Sequence, residues 1–285
     1  MFIVSGATGH VGSAVAEALL RDGHEVIAIT RDAANAAALK EKGASIAVAD
    51  LYDVDAMRDV FRKGKRLFLL NPPAKPDTDT DRAENETARL LLAAVEGSGL
   101  EKIVAESTYG AQPGEQLGDL NTLHTMEEGL RDQRVPTTIL RAAYYFSNWD
   151  AMLETVREGT LPTMYPADLK LPMVAPADLG DAAADLLTAP VEETGIVHVE
   201  GPTRYSSRDV ADAFAHTLGR KVEVAVTPRD HWEETYRSLG FSEEAAHSYA
   251  RMTAITADGD YEMPNEPVRG STTLQDYIDA LVERD

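Results

Sequence analysis

The sequence has no cysteine. That excludes disulfides, thiolate catalysis and cysteine-ligated metal, and it suits a reducing cytoplasm. No apolar run approaches the roughly 20 residues of a membrane helix. Met1 leads straight into the apolar Phe2-Ile3-Val4, a pattern that predicts no signal peptide. Bases are scarce beside acids: 27 Lys and Arg against 48 Asp and Glu, a net charge of −21. A field of that sign repels phosphate backbones and anionic lipid, so neither nucleic acid nor a membrane surface is expected as a partner. An anionic small ligand would have to be held by local dipoles and single arginines. The histidines (His10, His24, His124, His198, His216, His231 and His247) are scattered without ligand spacing, so no metal is expected.

What is present is a regular alternation. Apolar runs at Phe2–Ser5, Glu25–Thr30, Ser45–Ala49, Arg66–Leu70, Lys102–Glu106 and Thr137–Leu140 read as strands. Helical patterns lie between them at Val11–Leu20, at Asp53–Arg62, at Asp81–Gly97 and from the cap Asp32 to Lys42. Strands that are apolar on both faces and separated by helices predict an α/β fold, a doubly wound parallel sheet. Ligands of such sheets sit beyond the carboxyl ends of the strands, near the switch point. After about Asn148 the pattern loosens. A helix at Trp149–Glu158 is followed by a proline-rich loop (Pro162, Pro166, Pro172, Pro176) and a helix Leu179–Thr188 capped by Asp178. Gly195–Glu200 returns as a strand. Helix Ser207–Leu218, opened by a Ser206/Asp209 capping box, precedes a strand Lys221–Thr227 and three more helices. One of these opens at Ser242 before Glu243-Glu244, and the last is Leu274–Val282. The expected division is a sheet unit over 1–148, rejoined by 178–200, and a smaller, mostly helical lobe from 149–177 and 201–285.

Residues 5–12 read Ser-Gly-Ala-Thr-Gly-His-Val-Gly, so Gly6, Gly9 and Gly12 fall in a G-x-x-G-x-x-G spacing between strand and amphipathic helix. Glycines there permit a tight turn and close approach of backbone to a pyrophosphate, and the helix N-terminus adds free N–H groups and a positive dipole end. Gly6, Thr8, Gly9, His10, Val11 and Gly12 are therefore candidate dinucleotide ligands. At the end of the second strand an acid would bond the ribose 2′-hydroxyl of NAD(H), whereas an arginine suits the 2′-phosphate of NADP(H). Arg31 stands there, and Asp32 reads as the next helix cap. NADP(H) is the expected cofactor, with NAD(H) as the alternative.

Ser5–Gly12, Thr30-Arg31-Asp32, Gly43, Asp50-Leu51, the run from Val135 to Arg141 and the run from Ser271 to Tyr277 together resemble the NmrA-like group of atypical short-chain dehydrogenases. The resemblance covers nearly the whole chain and implies an NAD(P)-binding Rossmann fold. In layout the chain is similar to the NADPH-dependent quinone reductases and triphenylmethane dye reductases of that group, which also holds non-catalytic cofactor sensors. By resemblance, Asp50 and Leu51 flank adenine, and Asn71, Pro72 and Pro73 line the nicotinamide ribose. Ser107 and Thr108 face the nicotinamide. Arg141 to Tyr145 close the pocket, with Glu127 facing inward and Tyr144, Tyr145, Phe146 and Trp149 as an aromatic wall. For any one of those aromatics, packing between the lobes is an equal alternative.

Ordinary short-chain dehydrogenases use Ser together with Tyr-x-x-x-Lys. Ser107 would stand for the serine, but Asp119–Arg131 holds neither Tyr nor Lys. Many relatives carry a histidine four residues before a glutamate on this helix. Here Glu127 matches the glutamate, Leu123 takes the histidine's place, and His124 points about 100° away. Glu128 is expected to pair with Arg131 on the surface. Two readings stay open. One is a reductase passing hydride from NADPH to a small aromatic or quinone-like acceptor, with solvent, Tyr109 or Tyr144 protonating the product. The other is a non-catalytic NADP(H) sensor acting through a protein partner. A monomer or a homodimer is expected.

Overall fold

The computed structural model describes residues 1–284. Strand β1 (Phe2–Val4) leads through α1 (His10–Arg21), β2 (Val26–Thr30), α2 (Ala37–Glu41), β3 (Ser45–Val48) and α3 (Val54–Phe61) to β4 (Arg66–Leu69). Next come α4 (Thr80–Val95), β5 (Lys102–Thr108), α5 (Asp119–Arg131) and β6 (Thr137–Ala142). The second half holds β7 (Tyr144–Tyr145), α6 (Leu153–Arg157), β8 (Thr160–Thr163), β9 (Leu171–Val174), α7 (Pro176–Thr188), β10 (Gly195–Glu200) and β11 (Arg204–Tyr205). It ends with α8 (Ser207–Leu218), β12 (Glu223–Val226), α9 (Trp232–Ser238), α10 (Glu243–Asp258), β13 (Val268–Arg269) and α11 (Leu274–Arg284).

Eight strands form one sheet in the order β13-β10-β6-β5-β4-β1-β2-β3, and every pairing in it is parallel. Successive side chains of a strand face opposite sides, and here both sides are covered. Val4, Ala28, Phe68, Val104 and Leu140 pack with Val15 and Leu19 of α1 and Leu179 and Leu187 of α7. Ile3, Ile27, Leu67, Ile103 and Ile139 pack with Phe61 of α3, Leu91 of α4 and Met126 of α5. This two-sided burial is why the strands read as unbroken apolar runs. At the amino ends of β4 and β5, Arg66 donates to the Ala189 carbonyl at 2.8 Å and Lys102 to the Pro190 carbonyl at 2.8 Å. Two cations thus sit at the carbonyl-rich end of α7, where the helix dipole favours them.

A separate cluster around Phe146, Trp149, Val156, Met173, Phe214 and Ile278 forms the core of the second lobe. Here the structure corrects several expectations. The proline-rich stretch is not a loop: it carries β8 and β9. Pro162 is tolerated because β8 pairs with β12 alone, in a two-stranded sheet. Pro172 is paired only on the β11 side, since the β7 pairing begins at Met173, so no ladder bond needs its missing N–H. The expected helix Trp149–Glu158 is a 3-10 segment, Phe146–Met152, followed by the short α6. Asp178 is not a cap. The helix α7 starts earlier, with Pro176 in its first turn after Ala175, a position that suits proline. The Asp178 carboxylate instead accepts from the Thr272 amide at 3.0 Å and hydroxyl at 2.9 Å. Val268–Arg269, assigned by sequence to the lobe, adds the eighth strand of the main sheet. The Ser206/Asp209 capping box and the Ser242 cap form as expected. Among the described residues no helix is long and apolar enough to cross a membrane.

Candidate active site

The chain runs outward from β1 to β2 and β3, then crosses back to β4 on the other side of β1. The crevice between the ends of β1 and β4 is the switch point. Ser5 ties it together: its amide donates to the Phe68 carbonyl at 3.0 Å, and its hydroxyl accepts from the Leu70 amide at 2.8 Å. The glycine turn begins at once. Gly6 has φ +60°, a conformation that favours glycine. A Cβ on Gly12 would lie 2.2 Å from the Gly6 carbonyl oxygen, so the first turn of α1 closes onto the loop with no room for a side chain. Ala7 and Val11 are buried and anchor the turn, while Thr8, Gly9 and His10 are exposed. Gly9 caps α1 without a side-chain hydrogen bond, so the first-turn amides have neither an intrahelical nor a side-chain acceptor.

At the end of β2, Asp32 is committed to local structure: its amide donates to the Thr30 hydroxyl at 3.2 Å and its carboxylate accepts from the Ala34 amide at 2.9 Å. Arg31 is exposed and makes no ion pair among the described residues. After β3, the Asp50 carboxylate accepts from the Tyr52 amide at 3.0 Å. Leu51 is half-buried, and Tyr52, which sequence reading passed over, is 61% exposed beside it. An unpartnered aromatic ring therefore adjoins the expected adenine position.

After β4, the Asn71 side chain is fully engaged, donating to the Glu84 carbonyl at 3.0 Å and accepting from the Thr87 hydroxyl at 2.7 Å. It locks the loop through Pro72 and Pro73 onto α4. Glu84 supports the same loop from beneath, accepting from the Ala74 amide at 3.0 Å and the Thr122 hydroxyl at 3.0 Å. Burial, then the neighbouring Asp119, pushes its pKa up to about 7. Burial and Asp81 push Asp119 up to about 6.

At the ends of β5 and β6 lies a buried charge network. The Ser107 hydroxyl donates to Glu127 Oε1 at 2.6 Å, and Arg141 binds both oxygens of the same carboxylate at 2.9 and 2.7 Å. Glu127 has no exposed surface. Sequence reading placed it in the substrate pocket, but the structure makes it the closed centre of a Ser–Glu–Arg network. Ser107 has thereby given its hydrogen away. Thr108, half-buried, is the hydroxyl left at the strand end. The Glu128–Arg131 surface pair forms, and His124 lies 3.9 Å from Glu128.

The aromatic wall divides along β7, because neighbouring strand residues face opposite sides. Tyr144 turns to the lobe, 5.8 Å between ring centres from Trp149 and 5.9 Å from Tyr165. Tyr145 turns to the sheet, and its hydroxyl meets Glu106 at 2.5 Å. Phe146 does not line the pocket: it is fully buried in the lobe core between Tyr205 and Tyr277. Trp149 is buried with it. Tyr109 packs edge-on against His198, and its buried hydroxyl has no protein partner. Burial raises the pKa of Tyr109 and of Tyr144. A further aromatic group comes from the lobe, where Tyr236, Phe241 and Tyr249 stack mutually. Burial raises the pKa of Tyr236, Tyr249 and Tyr145, and Asp119 at the start of α5 adds a smaller push in the same direction. Tyrosines and carboxyl groups thus lie together at this end of the molecule.

The NmrA-like family matches residues 1–280. The chain belongs to that family. It is 24% identical to the NAD(P)H azoreductase of Xenophilus azovorans over 92% of this chain and 88% of the relative. It superposes on the triphenylmethane reductase of Citrobacter sp. complexed with NADP(H) with a TM-score of 0.82 at 20% identity, over 99% of this chain and 100% of the other. The NADPH-dependent quinone oxidoreductase of Escherichia coli complexed with NADPH gives 0.81 at 22% identity, again over 99% and 100%. At these identities the likeness to the two structures establishes a shared fold.

Within this NmrA-like chain, sequence reading missed Tyr52, Glu106, Asp119 and the tyrosines of α9 and α10. Only Glu106 carried a local signal, as an acid at the end of an otherwise apolar strand. The others become neighbours only through the fold.

Proposed function

We propose that this protein binds NADP(H) at the Gly6–Gly12 turn and reduces a small aromatic or quinone-like acceptor. The carrying observation is the turn itself. Gly12 leaves no space for a Cβ, α1 starts without a side-chain cap, and Arg31 stands unpaired one strand away. These features fit a pyrophosphate and a 2′-phosphate in a protein whose overall field repels anions. The bound dinucleotide supplies hydride. The chain's own residues position it: Leu51 and Tyr52 offer apolar surface to adenine, Asp50 shapes that turn, and Asn71 holds the Pro72-Pro73 loop in place. The acceptor side, with Tyr144, Tyr145, Tyr236 and Tyr249 and with carboxyl groups in place of bases, suits a flat neutral or cationic aromatic more than an anion. Relatives named as azo, quinone and triphenylmethane reductases support this reading.

The test is steady-state turnover of NADPH and NADH with a panel of quinones, azo compounds and triarylmethane dyes, read by nicotinamide absorbance. NADPH-dependent turnover of at least one class is expected. Tight NADPH binding with no turnover of any acceptor would favour the second reading, a non-catalytic NADP(H) sensor with a protein partner. The engaged Ser107 and the lack of Tyr and Lys on α5 are the observations that favour that alternative. Cytoplasmic residence and a monomeric or homodimeric state belong to the same proposal.

A further inference from the structure

Hydride addition to a quinone or carbonyl leaves an oxyanion that must gain a proton. The expected donors do not provide it. The Ser107 hydrogen is held by Glu127, the Tyr109 hydroxyl is buried without a relay partner, and α5 holds neither Tyr nor Lys. One buried pair at the strand ends has no other role. Glu106 precedes Ser107 on β5, faces the opposite side of the sheet, and is 5% exposed. Its Oε1 meets the Tyr145 hydroxyl at 2.5 Å. Its Oε2 is buried with no protein partner, and no Lys or Arg pairs with it among the described residues. A lone carboxylate in such a place is costly, which favours the acid form.

We propose that Tyr145 and Glu106 form a proton-donating pair for the acceptor side of the site. The inference rests on the reductase reading. In the acid form Glu106 donates its O–H to the phenol oxygen and leaves the Tyr145 hydrogen free, and the Tyr145 O–H bond breaks as the product O–H bond forms. The Glu106 acid then returns a proton to the phenolate, and water reprotonates Glu106. No electrons pass through the pair; both arrive with the hydride. Tyr145 is the catalytic residue and Glu106, acting through it, a positioning residue and proton source. Burial sets the Glu106 pKa at about 7, the bond from Tyr145 pulling the other way. The charged or titratable groups facing the pair are few. Beside burial, Tyr145 is the group that acts on Glu106, and Glu106 and Asp119 act on Tyr145. Asp119, whose own pKa burial and Asp81 raise, is the second acid acting on Tyr145.

The experiment compares the full-length protein with Glu106→Gln and Tyr145→Phe, each with two acceptors. A quinone requires a proton. A triarylmethane cation does not, because hydride addition to a carbocation gives a neutral product. In the unaltered protein, quinone turnover should fall as pH rises above about 7, while dye turnover does not follow that limb. Both variants should lose about 10²-fold in quinone kcat, and Glu106→Gln should also lose the pH limb. Dye turnover should fall far less than quinone turnover in both variants, and the Kd for NADPH should hold. Infrared titration without cofactor should show protonated-carboxyl absorption that is lost near neutral pH, and Glu106→Gln should remove one carboxyl's share of it while the share of Glu84 remains. Quinone rates and pH profiles that are the same in all three proteins would overturn the pair, as would equal loss on both acceptors. An unaltered protein that reduces neither acceptor would remove the reductase reading, and the pair's catalytic role with it.

Discussion

The proposed dinucleotide end and the proposed acceptor end of this crevice are built on different principles. At the β1–β2 end the backbone does the work. A positive φ at Gly6, a forbidden Cβ at Gly12 and an uncapped helix start make the site, and the side chains there are small or exposed. At the β5–β7 end side chains do the work. Ser107, Glu127 and Arg141 close one face of the sheet, and Glu106 and Tyr145 meet on the other. A backbone site is written in a contiguous motif, whereas a side-chain site is assembled from distant segments. The first kind tolerates change around it but not at its glycines. The second depends on a few buried pairs, Ser107 and Arg141 on Glu127 and Tyr145 on Glu106, staying made.

The largest expected effect is at the acceptor end. Arg141→Met removes the bidentate partner of the buried Glu127 and leaves only the longer contact from Arg131 at 3.6 Å, and it should cost up to about 3–5 kcal/mol of stability in urea unfolding. Pairing it with Glu127→Leu should recover most of that loss. A double variant as unstable as the single one would show that the network is not a closed ion pair. At the dinucleotide end, Gly12→Ala forces backbone apart, because the obstructing atoms belong to Gly6. NADPH affinity should fall about 10²-fold, with a stability cost of about 1–3 kcal/mol. Unchanged affinity would break the contrast between the two ends.

The third prediction concerns the buried acids. Glu84 has a folded pKa raised to about 7 from 4.5. Its contribution is therefore full below its unfolded value and is lost as pH rises through about 7. Unfolding free energy should decline between those limits. Glu84→Gln, which keeps an acceptor for the Ala74 amide, should flatten that decline by about 1–3 kcal/mol. An unchanged pH slope would refute the raised value. The smallest effect is at Arg31. Arg31→Ala should weaken NADPH by about tenfold and leave NADH affinity where it was. Equal losses would remove the 2′-phosphate role.

The same contrast explains what could be read in advance. The strands were legible because both faces of the sheet are buried, and the glycine turn because its steric demands act within eight residues. Caps such as Ser206 and Ser242 are equally local. Asp178 looked like a cap, but its partner Thr272 lies 94 residues on. Pro162 and Pro172 looked like loop residues because sequence does not reveal on which side a strand is left unpaired. Tyr145 stood in a run of aromatics, and nothing local distinguished it from Phe146, which is core. Its partner Glu106 is 39 residues away, on the next strand but one.

The most direct test of the whole account is a single turnover. The protein is loaded with one equivalent of NADPH and mixed with excess quinone, and the nicotinamide absorbance is followed. The account predicts complete loss of that absorbance with one equivalent of quinol formed. Persistent absorbance, with NADPH still bound and no quinol, would contradict it.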